Sequence, residues 1–91
     1  MDFTYQPNQI ALYGDDSGLL AEVTFPDIDP DTVDINHTFV DDSLRGQGVA
    51  GQLLEALAQH LRAGNKKAVP TCSYAVRWFE KHPEYSDLIK G

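Results

Sequence analysis

Leu44-Arg45-Gly46-Gln47-Gly48-Val49-Ala50 is the stretch on which the reading of this 91-residue chain turns. It stands between a β-like run and a strongly amphipathic helix. Its glycines clear side chains from the backbone, so several N–H groups can converge on one point. The helix that follows adds the positive end of its dipole. Loops of this kind hold a phosphate or pyrophosphate.

Periodicity sets the elements around the loop. Downstream, Val49, Leu53, Leu57 and Leu61 recur every four residues, with Ala50 and Leu54 beside them. Gln52, Glu55, Gln59 and Arg62 face away. The pattern predicts a helix from Gly48 to Ala63 that packs one apolar stripe on a sheet. Gly64 and Asn65 stop it. Lys66 to Thr71 is a short strand with an irregular end at Pro70. Ser73 caps a second helix, Tyr74 to His82, which Pro83 ends. Tyr85 to Ile89 is a final apolar turn.

Upstream, the chain reads as strands. Gln9 to Tyr13 and Leu19 to Phe25 flank the turn formers Gly14 to Gly18 and form a hairpin. Asp27 to Asp31 is another turn. Thr32 to Val40 alternates, with Val33, Ile35, His37 and Phe39 on one face and Asp34, Asn36 and Thr38 on the other. Asp41-Asp42-Ser43 breaks the strand. The order is β-β-β-α-β-α. It predicts an α/β (α+β) fold with a mixed, mainly antiparallel sheet, one parallel β-α-β crossover and two main helices.

Ninety-one residues make a single domain, 1–91, with one modest core. Net charge is −7, but unevenly spread. Residues 1–44 carry ten acidic side chains and no Lys or Arg; residues 45–91 carry seven basic against four acidic. That balance disfavours nucleic acid as a partner and draws cationic partners to the first half. No apolar run is long enough to span a membrane. The N-terminus lacks the pattern of a signal peptide. The lone Cys72 forms no internal disulfide and no metal-ligand pattern. These points predict a cytoplasmic protein that binds neither membrane nor metal, as a monomer or a weak dimer.

Gly46-x-Gly48-x-x-Gly51 formally matches the dinucleotide fingerprint, which is weak alone. A Rossmann unit places the loop after its first strand and an acidic residue on the next. Here half the chain precedes the loop, and Val69-Pro70-Thr71 has no Asp or Glu. A phosphate-binding loop of the Gly-Lys-Ser/Thr type is absent as well.

A second pattern, Arg/Gln-x-x-Gly-x-Gly/Ala, is met by Arg45-Gly46-Gln47-Gly48-Val49-Ala50, and the order of elements agrees with it. On these residues the chain resembles the GCN5-related N-acetyltransferase superfamily. His37-Thr38-Phe39-Val40, Leu44 to Ala50, Pro70-Thr71-Cys72 and His82-Pro83-Glu84-Tyr85 make it similar to the small YjdJ-type single-domain members, along nearly its whole length. The resemblance implies a minimal fold of that family. It implies acetyl-CoA as acyl donor, with its pyrophosphate on the amides of Gly46, Gln47, Gly48, Val49 and Ala50. Arg45 would aid the pyrophosphate or orient the loop, and Phe39 and Val40 would border the pantetheine arm. The chain is shorter than most of the superfamily. It lacks the helices after the first strand and the last strands, which commonly build the acceptor pocket.

Cys72, at a strand end before a helix, has a lowered thiol pKa in prospect. It serves either as a nucleophile that takes the acetyl group or as the acid for the departing CoA sulfur; the plainer reading is a small buried hydrophobe. His37 is a candidate general base for the acceptor amine, although a lone histidine on an apolar face is more often a core residue. A Cys72–His37 pair is conceivable from neighbouring strands. Tyr74 is a third catalytic candidate, because members of the superfamily use a helix tyrosine to protonate the leaving thiolate; packing is its alternative. Lys66 and Lys67 face either the CoA ribose phosphate or solvent. The reading is an acetyl-CoA-dependent N-acetyltransferase acting on a cationic amine, a small molecule or a lysine-bearing peptide. The rival is a non-enzymatic acyl-CoA sensor or protein-interaction module.

Overall fold

The computed structural model describes residues 2–90. Among them the chain forms β1 (Thr4–Gln6), β2 (Gln9–Tyr13), β3 (Leu19–Thr24), β4 (Asp27–Asp29), β5 (Thr32–Ile35), β6 (His37–Val40), α1 (Val49–Ala63), β7 (Lys67–Pro70) and α2 (Ser73–Glu80). Short 3-10 turns cover Asp42–Leu44 and Pro83–Leu88. The mixed α/β architecture agrees with the sequence reading. The β2–β3 hairpin is antiparallel, and β5 and β7 are parallel neighbours joined through α1.

The strands form two hydrogen-bonded groups, β1-β2-β3-β6 and β4-β5-β7. β5 and β6 are one run of chain, broken at Asn36. Before the break it pairs with β4 and β7; after it, with β3. The sheet therefore forks at Asn36, with β6 on one arm and β7 on the other. The Ile35 carbonyl ties the base of the fork together by accepting from the amides of both Thr71 (3.0 Å) and Cys72 (3.1 Å).

The break corrects the expected alternation. Val33 and Ile35 are buried, but His37 is exposed and Phe39 only half-buried. Asn36 acts as an extra residue. Its amide donates to the Thr24 carbonyl (3.3 Å), and its side-chain oxygen accepts from the Thr24 hydroxyl (2.6 Å). One added residue sends every later side chain to the opposite face. Thr38 and Val40 thus turn inward beside Val23 and Ala21, while Phe39 stands opposite Glu22 on the outer face.

Other boundaries also shift. Thr4–Gln6 pairs with β2, and Asp27–Asp29, expected as a turn, pairs with β5. The second helix begins at Ser73 with Cys72, not Ser73, as its N-cap.

α1 buries Val49, Leu53, Leu54, Leu57, Ala58 and Leu61 against Ile10, Ala21, Val23, Val33, Ile35 and Ala68. Each large aliphatic side chain so buried stabilises the fold by about 1.5–3 kcal/mol. α1 is the helix packed closely on the four-stranded group, on its inner face. α2 adds Ala75, Trp78 and Phe79 to the same core. The core thus clamps the rear of the fork and leaves its mouth beside the glycine loop.

Candidate active site

The loop begins where Asp41 ends β6. The Asp41 carboxylate accepts from the Ser43 hydroxyl (2.6 Å) and amide (3.0 Å). Those two bonds, the hydroxyl first, hold its pKa below the usual carboxylate value. The chain then makes a 3-10 turn and reaches Gly46 and Gly48, with φ of +82° and +71°. A β-carbon at either would meet nothing within 4 Å. Glycine is needed at both for the left-handed backbone, not for lack of space.

That geometry leaves a cluster of free donors. Gln47 donates to the Leu44 carbonyl (3.2 Å), and Gln52 closes the first turn of α1 on Gly48 (3.1 Å). The amides of Gly46, Gly48, Val49, Ala50 and Gly51 find no carbonyl acceptor among the described residues. The helix end also has no side-chain cap. Unsatisfied amides at a helix N-terminus concentrate the positive end of the dipole. Gly51 thus offers a free amide that the sequence did not single out, whereas the Gln47 N–H is bonded within the loop. Beside them lies a cleft of about 210 Å³, walled by Val40, Leu44, Gly46, Gly48, Ala50 and Tyr74. Arg45 also lines it, but its guanidinium is held by Asp42 at 2.6 Å, with both side chains largely exposed.

A larger cleft of about 630 Å³ continues between α1 and α2. It shares Gly48, Gly51 and Tyr74 with the smaller one, so the two form one trough. Its far wall carries Trp78 with His82 stacked on it, ring centroids 3.9 Å apart. Lys66 and Lys67 lie elsewhere: Lys66 pairs with Asp27, and Lys67 bonds to the Asp87 carbonyl.

Cys72 stands at the fork, half-buried, as the N-cap of α2. Its Sγ lies 3.5 Å from the Thr38 hydroxyl. Burial pushes the thiol up, but the Thr38 hydroxyl and the amides of Ala75, Tyr74 and Thr38 outweigh it, so its pKa lies below the ordinary value. The inward turn of Thr38 makes this contact possible. No sequence signal pointed to Thr38, because the regular alternation placed it on the other face.

The backbone of β6 contributes as well. Asp41 donates to the Leu20 carbonyl (2.7 Å), and Phe39 stands opposite Glu22. The alternation of an antiparallel ladder then points the amides and carbonyls of Thr38 and Val40 away from β3, into the fork.

Tyr74, in the first turn of α2, walls both clefts, and burial raises its phenol pKa. His37 is not brought to Cys72. Its side chain is 53% exposed, and its Nε2 lies 3.3 Å from Glu22 on the outer face. Phe39 shares that face, away from the cleft that Val40 borders. The site therefore has two sides: Cys72, Thr38, Tyr74 and the loop on the inner side, and His37 on the outer.

A sequence model of the family described as GCN5-related N-acetyl-transferase matches residues 9–88. No curated protein matches the chain in sequence. A GCN5-like protein of Staphylococcus aureus, solved by NMR, superposes with a TM-score of 0.81 at 36% identity, over 99% of this chain and 88% of that one. Tetrahymena GCN5 superposes at 0.65 with 13% identity, over 80% of this chain and 48% of its own. Ard1 of Thermoplasma volcanium gives 0.63 with 16% identity, over 82% and 53%. The chain thus spans about half the length of these last two and shares their fold.

Proposed function

The chain belongs to the GCN5-related N-acetyltransferase family and is an acetyltransferase, and from that premise we propose that it takes acetyl from acetyl-CoA in the fork and passes it to an amine. The observation that carries the reading is the group of five free amides at Gly46, Gly48, Val49, Ala50 and Gly51. They offer a pyrophosphate what a helix N-terminus offers any dianion. The pantetheine arm carries two amides of its own, and the Thr38 carbonyl and the amide and carbonyl of Val40, turned into the fork, offer them partners. The adenosine end then reaches the wider trough over Trp78 and His82.

Cys72 is the residue nearest the transfer. Its lowered thiol suits a nucleophile. The Cys72 thiol gives up its proton to solvent and its sulfur attacks the thioester carbonyl; the bond to the CoA sulfur breaks, the CoA thiolate takes a proton from Tyr74, and solvent returns that proton to Tyr74. The acetyl group is then carried by Cys72 as a new thioester. An incoming amine attacks this thioester: the C–N bond forms, the C–S bond breaks, and the Cys72 sulfur leaves with a proton from the nitrogen. Glu22 and Asp34 are half-buried and have no Lys or Arg partner among the described residues, which favours a cationic acceptor. A lone unpaired cysteine of this kind fits a reducing, cytoplasmic setting.

Calorimetric titration with acetyl-CoA, CoA and NAD tests the loop, followed by intact-mass measurement of Cys72. Saturable binding of acetyl-CoA and CoA but not NAD, with one acetyl added to Cys72, is expected. Equal binding of NAD, or no acetyl-CoA binding, would sink the proposal.

A further inference from the structure

Among the described residues, the one side chain within hydrogen-bond reach of Cys72 Sγ is Thr38, a hydroxyl and not a base. The chain's three histidines are engaged elsewhere. His37 faces outward beside Glu22, and His60 lies against the rings of Tyr5 and Phe25. The Nδ1–H of His82 donates to the Trp78 carbonyl at 2.7 Å. The nearby carboxylates have partners as well. Asp34 accepts from the Thr71 hydroxyl, and Glu55 from the Tyr85 hydroxyl. Asp41, which lines the smaller cleft, is bonded twice by Ser43 and held below the usual carboxylate range.

An acceptor that comes to Cys72 must therefore supply its own nucleophile. A primary alkylammonium has a pKa of about 10.4, so roughly 0.1% of it is neutral at pH 7.4. A thiol, with a pKa of about 8.5, is already roughly 7% thiolate there and is intrinsically very nucleophilic. The leaving group is matched to it. The Thr38 hydroxyl and the amides at the start of α2 favour the Cys72 thiolate, so it can leave the acetyl group without an acid. Exchange of one thiol for another thus needs neither proton carrier.

The way in narrows the acceptor further. The two clefts form one trough that runs past the glycine loop. Once CoA has left, the amides of Gly46, Gly48, Val49, Ala50 and Gly51 are again without acceptors. A second thiol on a pantetheine arm that ends in a phosphate meets the same amides and the same backbone of β6. Adenosine is not required for either contact.

We propose a further activity, in which the acetyl group on Cys72 passes to a second phosphopantetheine thiol, so that the protein exchanges acetyl between phosphopantetheine thiols. The inference rests on the acetyl-Cys72 of the proposed function and goes beyond it in naming another class of acceptor. The incoming thiol loses its proton to solvent, and its sulfur attacks the acetyl carbonyl. The new C–S bond forms and the bond to the Cys72 sulfur breaks. Cys72 leaves as the thiolate and regains a proton from solvent. One thioester is made for each one consumed, so no other reactant is called for.

The test gives the protein acetyl-CoA with 4′-phosphopantetheine, pantetheine, a holo acyl carrier protein or butylamine, and reads the products by mass spectrometry. 4′-Phosphopantetheine and pantetheine share one thiol and differ by the phosphate. The phosphorylated arm is expected to show a kcat/KM at least about tenfold higher, as for one added charge-assisted hydrogen bond. Butylamine should lag behind it at pH 7.4, and a butylamine rate equal to it would overturn the acceptor assignment. The carrier protein bears the same arm: preference for it assigns the source to a protein, and preference for the free compound assigns it to a small molecule. Cys72→Ala should lose the transfer, and undiminished transfer in that variant would overturn the route through Cys72. Acetylation of Cys72 with no passage to either phosphopantetheine, or pantetheine used as well as the better of the two, would overturn this inference and leave the proposed function standing. Failure to bind acetyl-CoA would overturn both.

Discussion

Replacing Gly48 by alanine separates the backbone requirement of the loop from its space requirement. Gly48 has φ +71° and open space where a β-carbon would go. The methyl group clashes with nothing, so the cost is the left-handed backbone itself, about 1–2 kcal/mol for a non-glycine residue. In a domain of this size each kcal/mol moves the melting temperature by about 4–8 °C, so Gly48→Ala should melt about 4–16 °C lower. Gly51 supplies the control. It lies inside α1, and its β-carbon would rest 3.8 Å from the Tyr74 hydroxyl and 3.9 Å from Trp78 Nε1, ordinary contacts. Gly51→Ala should therefore stabilise by about 0.5–1 kcal/mol, as alanine does for glycine in a helix. Gly51 nonetheless lines both clefts, and a methyl group there intrudes on the trough. The stabilised variant should bind acetyl-CoA more weakly than wild type. Differential scanning calorimetry and isothermal titration read the two effects. An unchanged melting temperature in Gly48→Ala would refute the backbone argument. Undiminished affinity in Gly51→Ala would refute the close approach of the ligand to α1.

Two further outcomes follow from the ionisable groups. Thr38→Val removes the hydroxyl that helps hold the Cys72 thiol low; the pH profile of iodoacetamide alkylation should move to higher pH, with Thr38→Ser close to wild type and an unmoved profile in Thr38→Val counting against the contact. The carboxyls of Asp29, Asp41 and Asp87 are all lowered, chiefly by hydrogen bonds from Asp31, Ser43 and Arg62 respectively. Their folded pKa values lie below the unfolded ones, so the stability they contribute is complete above the unfolded carboxylate pKa of about 4 and is lost as pH falls toward the folded values. Urea midpoints should drop on acidification, and Asp41→Asn should flatten that dependence; an unchanged slope would show that Asp41 contributes nothing to it.

The parts of the molecule governed by local chemistry were legible in the sequence. α1 was written in its leucine spacing, the β2–β3 hairpin in its turn formers, and the loop in glycines that only a left-handed backbone requires. What was hidden depended on neighbours. Asn36 becomes an extra residue because the Thr24 side chain and carbonyl hold it from across the sheet. Nothing in Thr32–Val40 alone announces this, and without it His37 and Phe39 fall on the wrong face. The same displacement concealed Thr38 and turned an imagined Cys72–His37 pair into groups on opposite sides. β1 and β4 were missed because three exposed or half-exposed residues leave no periodic trace.

The fork also bears on colloidal behaviour. Unpaired strand edges recruit other chains and seed aggregates. Here β1 and β4, at the ends of the two groups, are only three residues long, and β4 reads Asp-Ile-Asp. Short, charged edges are poor templates. The unpaired side of β6 borders the fork, where the Thr38 hydroxyl reaches Cys72 at the start of α2. Splitting the sheet thus leaves the free border of β6 along the fork, while Ile89 bridges β7 on its other side at Ala68.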